Sequence, residues 1–258
     1  MKKIISTINQ HKFLFEELVK RDFKRKYKRT ILGMAWSILS PLLTLLVMRL
    51  VFNVFFGRTI PHYTIYLFCG TLLFHYYREA TGTGMGALLS NASIFTKINV
   101  PKYIFLLSRN VSALFNFLLT LILFFGFCLA DKIDFHWGFF SLIYPVMTMM
   151  VLNFGLGLIL SALYVFFRDI QYLYDVFTLL LMYMSAIFYS VESFPPLYQQ
   201  CFLLNPVYVH ITYFRQVVLD GTVPGWQLHG LCAGYALLAL LTGLFIYKKC
   251  NREFIYYV

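Results

Sequence analysis

The sequence predicts an all-α integral membrane protein with six transmembrane helices, an N-terminal amphipathic interfacial helix and two short re-entrant helices on the outer side. The composition, the long apolar runs and the placement of the cations predict this class. Of the 258 residues, 60% are hydrophobic and 13% are charged, whereas charged residues make up about 25% of a soluble domain. The net charge is +11, and ten of the 22 Lys and Arg residues fall within the first 29 positions. Cations concentrated beside apolar runs indicate membrane topology rather than nucleic-acid binding.

The basic segment 1–33 precedes the first apolar run and is predicted to form the amphipathic helix. Its apolar residues recur at every fourth position, at Val19, Phe23, Tyr27 and Ile31. This spacing places them on one helical face with the cations around the rest. The helix would then lie in the headgroup plane of an anionic leaflet. The alternative is a solvated basic tail ahead of an ordinary membrane anchor.

Residues 34–258 form the predicted transmembrane domain, because six apolar runs reach the roughly 20 residues that a bilayer crossing needs. These runs lie at 34–56, 63–89, 103–129, 137–166, 172–190 and 229–247. An N-terminus in the cytosol puts 17 of the cations on the inner side and 3 on the outer side. The positive-inside rule therefore predicts that both termini are cytosolic.

Two compact polar segments face the cytosol in this topology. They span residues 90–102 and 166–171. In the first, Asn91 or Ser93 is predicted to cap a short helix that Pro101 ends. The second carries Arg168 and Asp169. Both segments suit a docking surface for a soluble partner, and the alternative is that they are plain turns.

The outer region 191–228 is rich in aromatic residues but contains no run of crossing length. A Pro-Pro pair at 195–196 breaks the chain, and Asn205 followed by Pro206 is typical of the start of a helix. The apolar run that follows has 14 residues and ends before Gly221, which is placed as a C-terminal cap. We therefore predict two short helices that enter the membrane from outside, beside a translocation pathway. The alternative is a folded loop that lies flat on the bilayer.

Ionisable side chains inside spans are costly and by default mark functional sites. Arg49 lies in the first span, Arg78 and Glu79 lie in the second, and Asp175 lies early in the fifth. Adjacent helical residues point about 100° apart, so Arg78 and Glu79 cannot form one simple pair. Glu79 is a candidate partner for Arg49, while Asp175 can reach the inner interface. We predict that Arg49, Arg78 and Glu79 line a pathway or pair between helices; the alternative is local structural pairing.

The sequence predicts no catalytic residue, no metal site and no cofactor on this chain. The five Cys residues form no C-x-x-C pair, and the six His residues show no ligand spacing. The glycine-rich run 82–86 follows no predicted strand, and the chain contains no G-x-x-x-x-G-K-[ST] motif. We interpret this run as small residues that let helices approach closely.

Four motifs, in order, resemble those of the polysaccharide-exporting ABC transporter permeases, which export O-antigen, teichoic acid and related lipid-linked glycans. The motifs are R-D-F-K-R-K-Y-K-R-T-I-L-G-M-A-W-S-I-L-S-P at 21–41, N-A-S-I-F-T-K-I-N-V-P-K at 91–102, F-F-R-D-I-Q-Y-L at 166–173 and L-N-P-V-Y…R-Q-V-V-L-D-G at 204–221. Each motif is modest alone, and together they are specific. The chain departs from the family at Ser185-Ala186, where a Ser-Pro pair is usual, and this is expected to cost a kink at most.

The resemblance implies a homodimeric permease that binds two copies of a separate ATPase subunit, with ATP and Mg²⁺ held by that subunit. The segment 90–102 then resembles a coupling helix, and the loop 166–171 would be a second contact. The implied ATPase contacts are Asn91, Phe95, Lys97, Pro101, Arg168 and Asp169. The short helices within 195–221 resemble an outer gate. The candidate gate residues are Asn205, Pro206 and Arg215.

The implied function is ATP-driven export of an undecaprenyl-diphosphate-linked polysaccharide across the bacterial plasma (inner) membrane. The diphosphate would be drawn to the basic N-terminal segment, because Arg and Lys suit phosphate. The head-group candidates, chosen by position, are Arg25, Lys28 and Arg29. ATP binding by the partner would move the segment 90–102, separate the two permease copies and open a path lined by the first, second and fifth spans. Membrane lipid is a further expected partner, and nucleic acid is not.

Two other classes of function remain open on the residues. A permease for drugs or other small amphiphiles shares the general fold, but is not expected to carry all four motifs. A membrane glycosyltransferase would place acidic residues in its first outer loop. Here that loop has the sequence G-R-T-I-P-H, which contains no carboxylate.

Overall fold

The computed structural model describes residues 12–27, 30–57, 60–98, 100–251 and 253–257, leaving the side chains of residues 25–27 and 255 undescribed. All regular structure in these ranges is helical. The α-helices are α1 (Lys12–Tyr27), α2 (Trp36–Phe56), α3 (Tyr63–Met85), α4 (Ala87–Ser90), α5 (Ala92–Phe95), α6 (Tyr103–Ala130), α7 (Ile143–Phe166), α8 (Ile170–Met184), α9 (Pro196–Phe202), α10 (Pro206–Val218) and α11 (Trp226–Cys250). Short 3₁₀ turns lie at Gly33–Ala35, Trp137–Leu142 and Glu253–Ile255.

The long helices run between two opposite sides of the bundle. On one side, α1 contacts the beginning of α6, and Lys102 before α6 donates a hydrogen bond to the carbonyl of Asn251 after α11. We call this the α1 side. On the other side, His62 before α3 lies 2.7 Å from Asp131 after α6, and α10 packs beside the start of α3. We call this the α10 side.

Four of the helical stretches in the described ranges are long and apolar enough to cross a membrane. They are Gly33–Phe56, Tyr103–Ala130, Trp137–Phe166 and Trp226–Cys250, which match the first, third, fourth and sixth predicted spans. Helix α3 has 23 residues but carries polar side chains along its second half. Helix α8 has 15 residues, fewer than the roughly 20 needed for a perpendicular crossing. The prediction of an all-α membrane protein is confirmed.

Glycines allow the tightest contacts between the long helices. A Cβ atom on Gly155 of α7 would lie 2.4 Å from the backbone of Ala239 in α11, and one on Gly243 would lie 2.5 Å from the carbonyl oxygen of Gly155. A Cβ atom on Gly84 of α3 would lie 3.5 Å from the Cα atom of Gly157. This is an ordinary contact distance, so the role of the glycine-rich run 82–86 in close helix packing stays a prediction.

Helix α1 differs from the predicted amphipathic helix in its end and in its buried face. The chain bends at Ile31, which is fully exposed, and Gly33 takes a φ of +53°. Ile31 is therefore not on the face of Val19 and Phe23, contrary to the four-residue spacing. Among the described side chains of α1, those of residues 12–24, Leu18 and Asp22 are buried, because this helix packs on α6 through a mixed polar and apolar stripe.

Helix α8 ends six residues before the predicted end of the fifth span, at Met184. Ala186 has a φ of +48°, which belongs to the left-handed region and stops the helix. A proline is fixed near a φ of −65° and could not adopt this conformation. At most a kink was expected from Ala186 in place of proline. The helix instead ends before Ser185-Ala186, so the effect on the backbone is larger than expected.

Side chains from other helices satisfy the carbonyl groups that this break leaves free. Arg215 of α10 donates to the carbonyls of Ala186 and Ile187, at 2.9 and 3.0 Å. The hydroxyls of Tyr63 and Tyr66 on α3 donate to the next two carbonyls, at 3.0 and 2.7 Å. Broken backbone at membrane depth needs such partners or water. Here the partners are protein groups, so the break by itself does not mark a water-filled pathway.

The predicted helix start at Asn205 is confirmed. Its side-chain oxygen accepts hydrogen bonds from the backbone N–H groups of Val207 and Tyr208, and Pro206 occupies the first turn. Its amide nitrogen donates to the carbonyl of Met184 and the hydroxyl of Ser185, at 3.1 and 3.0 Å. Asn205 therefore caps α10 and joins it to the end of α8. Gly221 follows with a φ of +68°, as predicted for a residue after a helix.

The Asn205→Ala substitution is expected to lower the free energy of unfolding by about 2 kcal/mol, because it removes both the cap and the two bridging hydrogen bonds. Unfolding in mixed detergent and SDS micelles measures this change. Asn205→Asp keeps the acceptor that caps α10 but loses the donor to α8, so it should recover roughly half of the loss. An alanine variant as stable as the wild type would contradict the assignment.

The segment between α3 and α6 forms two single-turn helices, α4 and α5. Asn91 occupies the N-cap position of α5, as predicted, but its side chain makes no capping hydrogen bond, and the helix ends at Phe95, well before Pro101. Asn91 instead faces inward, with 1% of its surface exposed. The polar contacts that keep it there belong to the candidate site.

Candidate functional site

A buried carboxylate on α1 is the centre of a polar network on the α1 side. The side chain of Asp22 is 1% exposed and lies 2.9 Å from the guanidinium of Arg21 and 3.3 Å from that of Arg109 on α6. The hydroxyl of Ser108 donates to the same carboxylate at 3.5 Å. A buried charge requires such partners, since leaving it alone is costly. Asp22 therefore joins α1 to the beginning of α6.

The same network extends to the segment after α3. The guanidinium of Arg21 donates to the side-chain oxygen of Asn91 at 2.7 Å, and the amide nitrogen of Asn91 donates to the carbonyl of Ala87 at 2.7 Å. Arg109 donates to the hydroxyl of Ser90 at 3.3 Å. A displacement of the segment after α3 would therefore pull on polar contacts to both α1 and α6.

Two neighbouring cavities adjoin this network and share His75 and Glu79 in their walls. The smaller, of about 410 Å³, lies between α2, α3 and α6 and is lined by hydroxyl and amide side chains as well as rings. The larger, of about 630 Å³, lies between α3, α6 and α8 and is bordered by Asp22 and Arg109. Ionisable side chains that face a cavity among apolar helices are typical of a translocation path.

The predicted intramembrane residues separate into two places. Arg78 and Glu79 both line the larger cavity, where Asp175 of α8 lies as well. The amide of Asn116 on α6 donates to Glu79 at 2.5 Å. Arg49 is exposed on α2 and makes no ion pair with any residue in the described ranges. The suggested pair between Arg49 and Glu79 is therefore wrong, because Arg49 points away from the cavity side.

The predicted ATPase contacts all lie on the α1 side, but they differ in exposure. Lys97, Arg168 and Asp169 are exposed, Pro101 is half-buried, and Asn91 and Phe95 are buried. The ring of Phe95 packs against that of Phe105 with 6.0 Å between centroids. Their role in binding an ATPase stays a prediction. The burial of Phe95 means that this ring anchors its segment from within the chain.

The predicted gate residues lie together on the α10 side. Arg215 is 8% exposed and, besides its two contacts after α8, donates to the carbonyl of Tyr66 at 3.2 Å. Its guanidinium lies 3.4 Å from the centroid of the Tyr66 ring, in cation–π contact. Nearby, burial and then the carboxylate of Glu192 raise the pKa of Asp220. The role of Asn205, Pro206 and Arg215 in a gate stays a prediction.

The head-group candidates and Asp22 differ from the other site residues in how the prediction compares with the structure. The head-group candidates Arg25, Lys28 and Arg29 lie outside the described side chains. Asp22 was not predicted, because only the apolar residues and the cations of this basic run entered the prediction. One signal was available: Asp22 is the only acidic residue between Glu17 and Glu79. Within the described residues, no three His, Cys, Asp or Glu side chains converge on a possible metal position.

The family model of the ABC-2 type transporter matches residues 14–219. The chain belongs to this family. The match covers most of α1, the helices that line both cavities, and α9 and α10. Together with the apolar helices, membership makes the chain a multi-pass membrane subunit of an ABC transporter.

Several characterised relatives align over nearly their whole length. The chain is 24% identical to the O-antigen export system permease protein RfbA of Klebsiella pneumoniae, over 94% of this chain and 95% of the relative. It is 25% identical to the protein of the same name from Myxococcus xanthus, over 98% of both. It is 23% identical to the polysialic acid transport protein KpsM of Escherichia coli, over 92% of this chain and 93% of the relative. All three names denote export or transport of a polysaccharide.

Proposed function

We propose that this chain is the membrane-spanning permease subunit of an ABC transporter that exports an undecaprenyl-diphosphate-linked polysaccharide, such as an O-antigen, across the plasma membrane. The observation that carries the proposal is the near full-length similarity to permeases for O-antigen and polysialic acid. ATP and Mg²⁺ bind to a separate ATPase subunit, and this chain is not itself catalytic. A drug-efflux permease is disfavoured, since these relatives carry glycans.

The working unit is a homodimer in which each chain crosses the membrane six times, with both termini in the cytosol. Helices α2 and α8 supply the first and fifth crossings. Only 6% of the most apolar stretch within Gly33–Phe56 is buried in the chain. On α2, Leu50 and Val54 are more than 70% exposed. Only Tyr174, Thr178 and Leu181 of α8 are buried. Helices this open suit contact with a second copy and with the transported molecule.

The glycan path starts at the α1 side and includes the two cavities between α2, α3, α6 and α8. The basic segment around Arg25, Lys28 and Arg29 attracts the diphosphate, because cations beside an anionic leaflet concentrate phosphate groups. Arg78 lines the larger cavity and is exposed to it. The hydroxyl and amide groups of the smaller cavity suit sugar hydroxyls, which both donate and accept hydrogen bonds.

The ATPase subunit docks on the α1 side, on the segments 90–102 and 166–171. Movement of the first segment reaches α1 and α6 through Asn91, Arg21, Asp22 and Arg109. Lys97 and Arg168 are exposed cations on these segments, suited to carboxylates of a partner.

The double variant Lys97→Ala/Arg168→Ala is expected to lower the stimulated ATPase activity of the purified complex about tenfold, as loss of two interfacial charges does. The complex is prepared by co-expressing the chain with the ATPase gene of its host. Export is measured as lipid-linked glycan at the surface of cells that lack the chromosomal gene. The wild-type chain alone should hydrolyse no ATP.

Lys132→Ala is the matched control, because Lys132 is an exposed cation on the α10 side and should leave both activities unchanged. If cells lacking the gene still display every surface glycan, polysaccharide export is wrong as the function. Drug sensitivity of the same cells would then favour efflux.

A further inference from the structure

The segment after α11 lies between the two segments that the sequence predicts to bind the ATPase. We call Asn251 and residues 253–257 the distal segment. Phe254 in its 3₁₀ turn is fully buried. Its ring lies 5.1 Å from that of Tyr247 on α11 and 6.0 Å from that of Phe166 at the end of α7. This ring therefore anchors the distal segment to the bundle.

Lys102 joins the distal segment to the segment 90–102. Its ammonium group donates to the carbonyl of Asn251. It also lies 5.5 Å from the ring centroid of Phe95 and 5.3 Å from that of Phe254. Burial lowers the pKa of Lys102, while the faces of the two rings favour its charged form. One cation thus holds the predicted coupling helix and the distal segment in a single cluster.

The other end of the distal segment contacts the loop before α8. Arg168 donates to the carbonyl of Tyr257 at 3.4 Å. The ring of Tyr257 packs edge-on against Phe166, with 5.0 Å between centroids. The distal segment therefore bridges the two predicted ATPase contacts, which lie more than 60 positions apart in the sequence.

This bridge presents an aromatic side chain outward. Tyr256 is 85% exposed, and on the neighbouring segments Ile98 and Phe167 are 57% and 63% exposed. Exposed rings and aliphatic groups rimmed by charges are typical of protein interfaces, in which tyrosine is a frequent hot spot. Charges of both signs rim this patch, since Glu253 and the preceding Lys248 and Lys249 are exposed. A mixed rim of this kind suits a protein partner that carries charges of both signs.

We propose that the distal segment is a third element of the ATPase docking surface, with Tyr256 as its contact residue and Phe254 as its anchor. The inference rests on the proposed function, since it requires an ATPase partner. The occupant is the ATPase subunit because the distal segment is continuous with both segments that dock it. The distal segment joins the segments 90–102 and 166–171 into one surface. A movement of the ATPase subunit therefore displaces both segments together.

The test is the dissociation constant between the purified ATPase subunit and the detergent-solubilised chain. Tyr256→Ala is expected to raise this constant about tenfold, as loss of an interfacial hot spot does. It should leave the unfolding midpoint unchanged, since the side chain is exposed. Phe254→Ala should raise the constant and also lower the midpoint, and Phe254→Leu should restore both in part. Trp226→Ala is the matched control, because Trp226 is a 91% exposed aromatic residue on the α10 side.

Equal dissociation constants for wild type, Tyr256→Ala and Phe254→Ala would overturn the inference while leaving the proposed function intact. If Tyr256→Ala leaves ATPase binding in detergent unchanged and lowers the ATPase activity only of the complex reconstituted in anionic lipid, the segment contacts the membrane and the inference is also wrong. A wild-type chain that binds no ATPase at all would overturn the proposed function, and the inference with it.

Discussion

Replacing Asp22 by alanine is expected to lower the free energy of unfolding by about 3–5 kcal/mol, the cost of removing one partner from a buried ion pair. The side chain of Asp22 is 1% exposed and that of Arg109 is 15% exposed, so the substitution removes the carboxylate from a largely buried ion pair. The substitution also releases Arg21, which holds Asn91. We therefore expect glycan export to fall below detection even where folded protein remains. Unfolding in mixed detergent micelles and surface glycan per folded chain measure the two effects separately.

Glu17→Ala is the matched control for this prediction. Glu17 is on the same helix and pairs with Lys20 at 3.0 Å, but its side chain is 51% exposed. Its loss should cost less than about 1 kcal/mol, as for other surface pairs. The double substitution Asp22→Ala/Arg109→Ala should cost less than the sum of the single changes, by about 1 kcal/mol or more, because the two residues are in contact. Strict additivity would show that they do not act as a pair.

The predictions that succeeded rest on local properties of the sequence. Hydropathy over about 20 residues locates most crossing helices. Asn205 followed by Pro206 specifies a helix start within three residues, and the structure has that start. Gly221 was predicted to follow a helix, and it does so with a φ of +68°. Each of these properties is decided by neighbours along the chain.

The features that were not predicted from the sequence depend on contacts and backbone changes that periodicity does not show. Asp22 and Arg109 are 87 positions apart, and charge counting places both on the same side without pairing them. Phe95 stays a predicted ATPase contact, but its burial against Phe105 and Lys102 was not foreseen. Ile31 continues the four-residue spacing, but the chain leaves the helix before it. In each case the deciding interaction involves a residue that periodicity does not reveal.

Arg215 shows the same limitation on the α10 side, where charge counting places it as an outer-loop cation. It is buried, and it donates to three carbonyl groups from two segments of the chain. The break after α8 creates the need for these donors, and no local pattern in the sequence indicates where that need falls. Its role therefore becomes evident only once α3, α8 and α10 are seen together.

Arg215→Ala is expected to lower the free energy of unfolding by about 4 kcal/mol, because it leaves several buried carbonyl groups without donors. The chain after α8 should then loosen, so that proteases cleave near residues 185–190 in folded protein. Arg215→Lys keeps the charge but lacks the planar guanidinium group, whose several N–H donors reach the carbonyls of α3 and of the chain after α8. The lysine variant should therefore recover less than half of the loss. Gln216→Ala, next to it and bonded only to Thr222 at 3.3 Å, should change stability by less than about 1 kcal/mol.

The effect of Arg215 on export separates a structural role from a gating role. If Arg215 only stabilises the non-helical backbone after α8, export per folded chain should be the same for Arg215→Lys as for the wild type. This comparison is possible because a fraction of the Arg215→Lys chains should fold. If the α10 side closes the path, the loosened chain should instead leak, and cells that produce Arg215→Lys should admit small hydrophilic dyes while export persists. Normal export without leakage would contradict the gate predicted for Asn205, Pro206 and Arg215. It would leave the stability prediction unchanged, because that prediction depends only on the buried carbonyl groups.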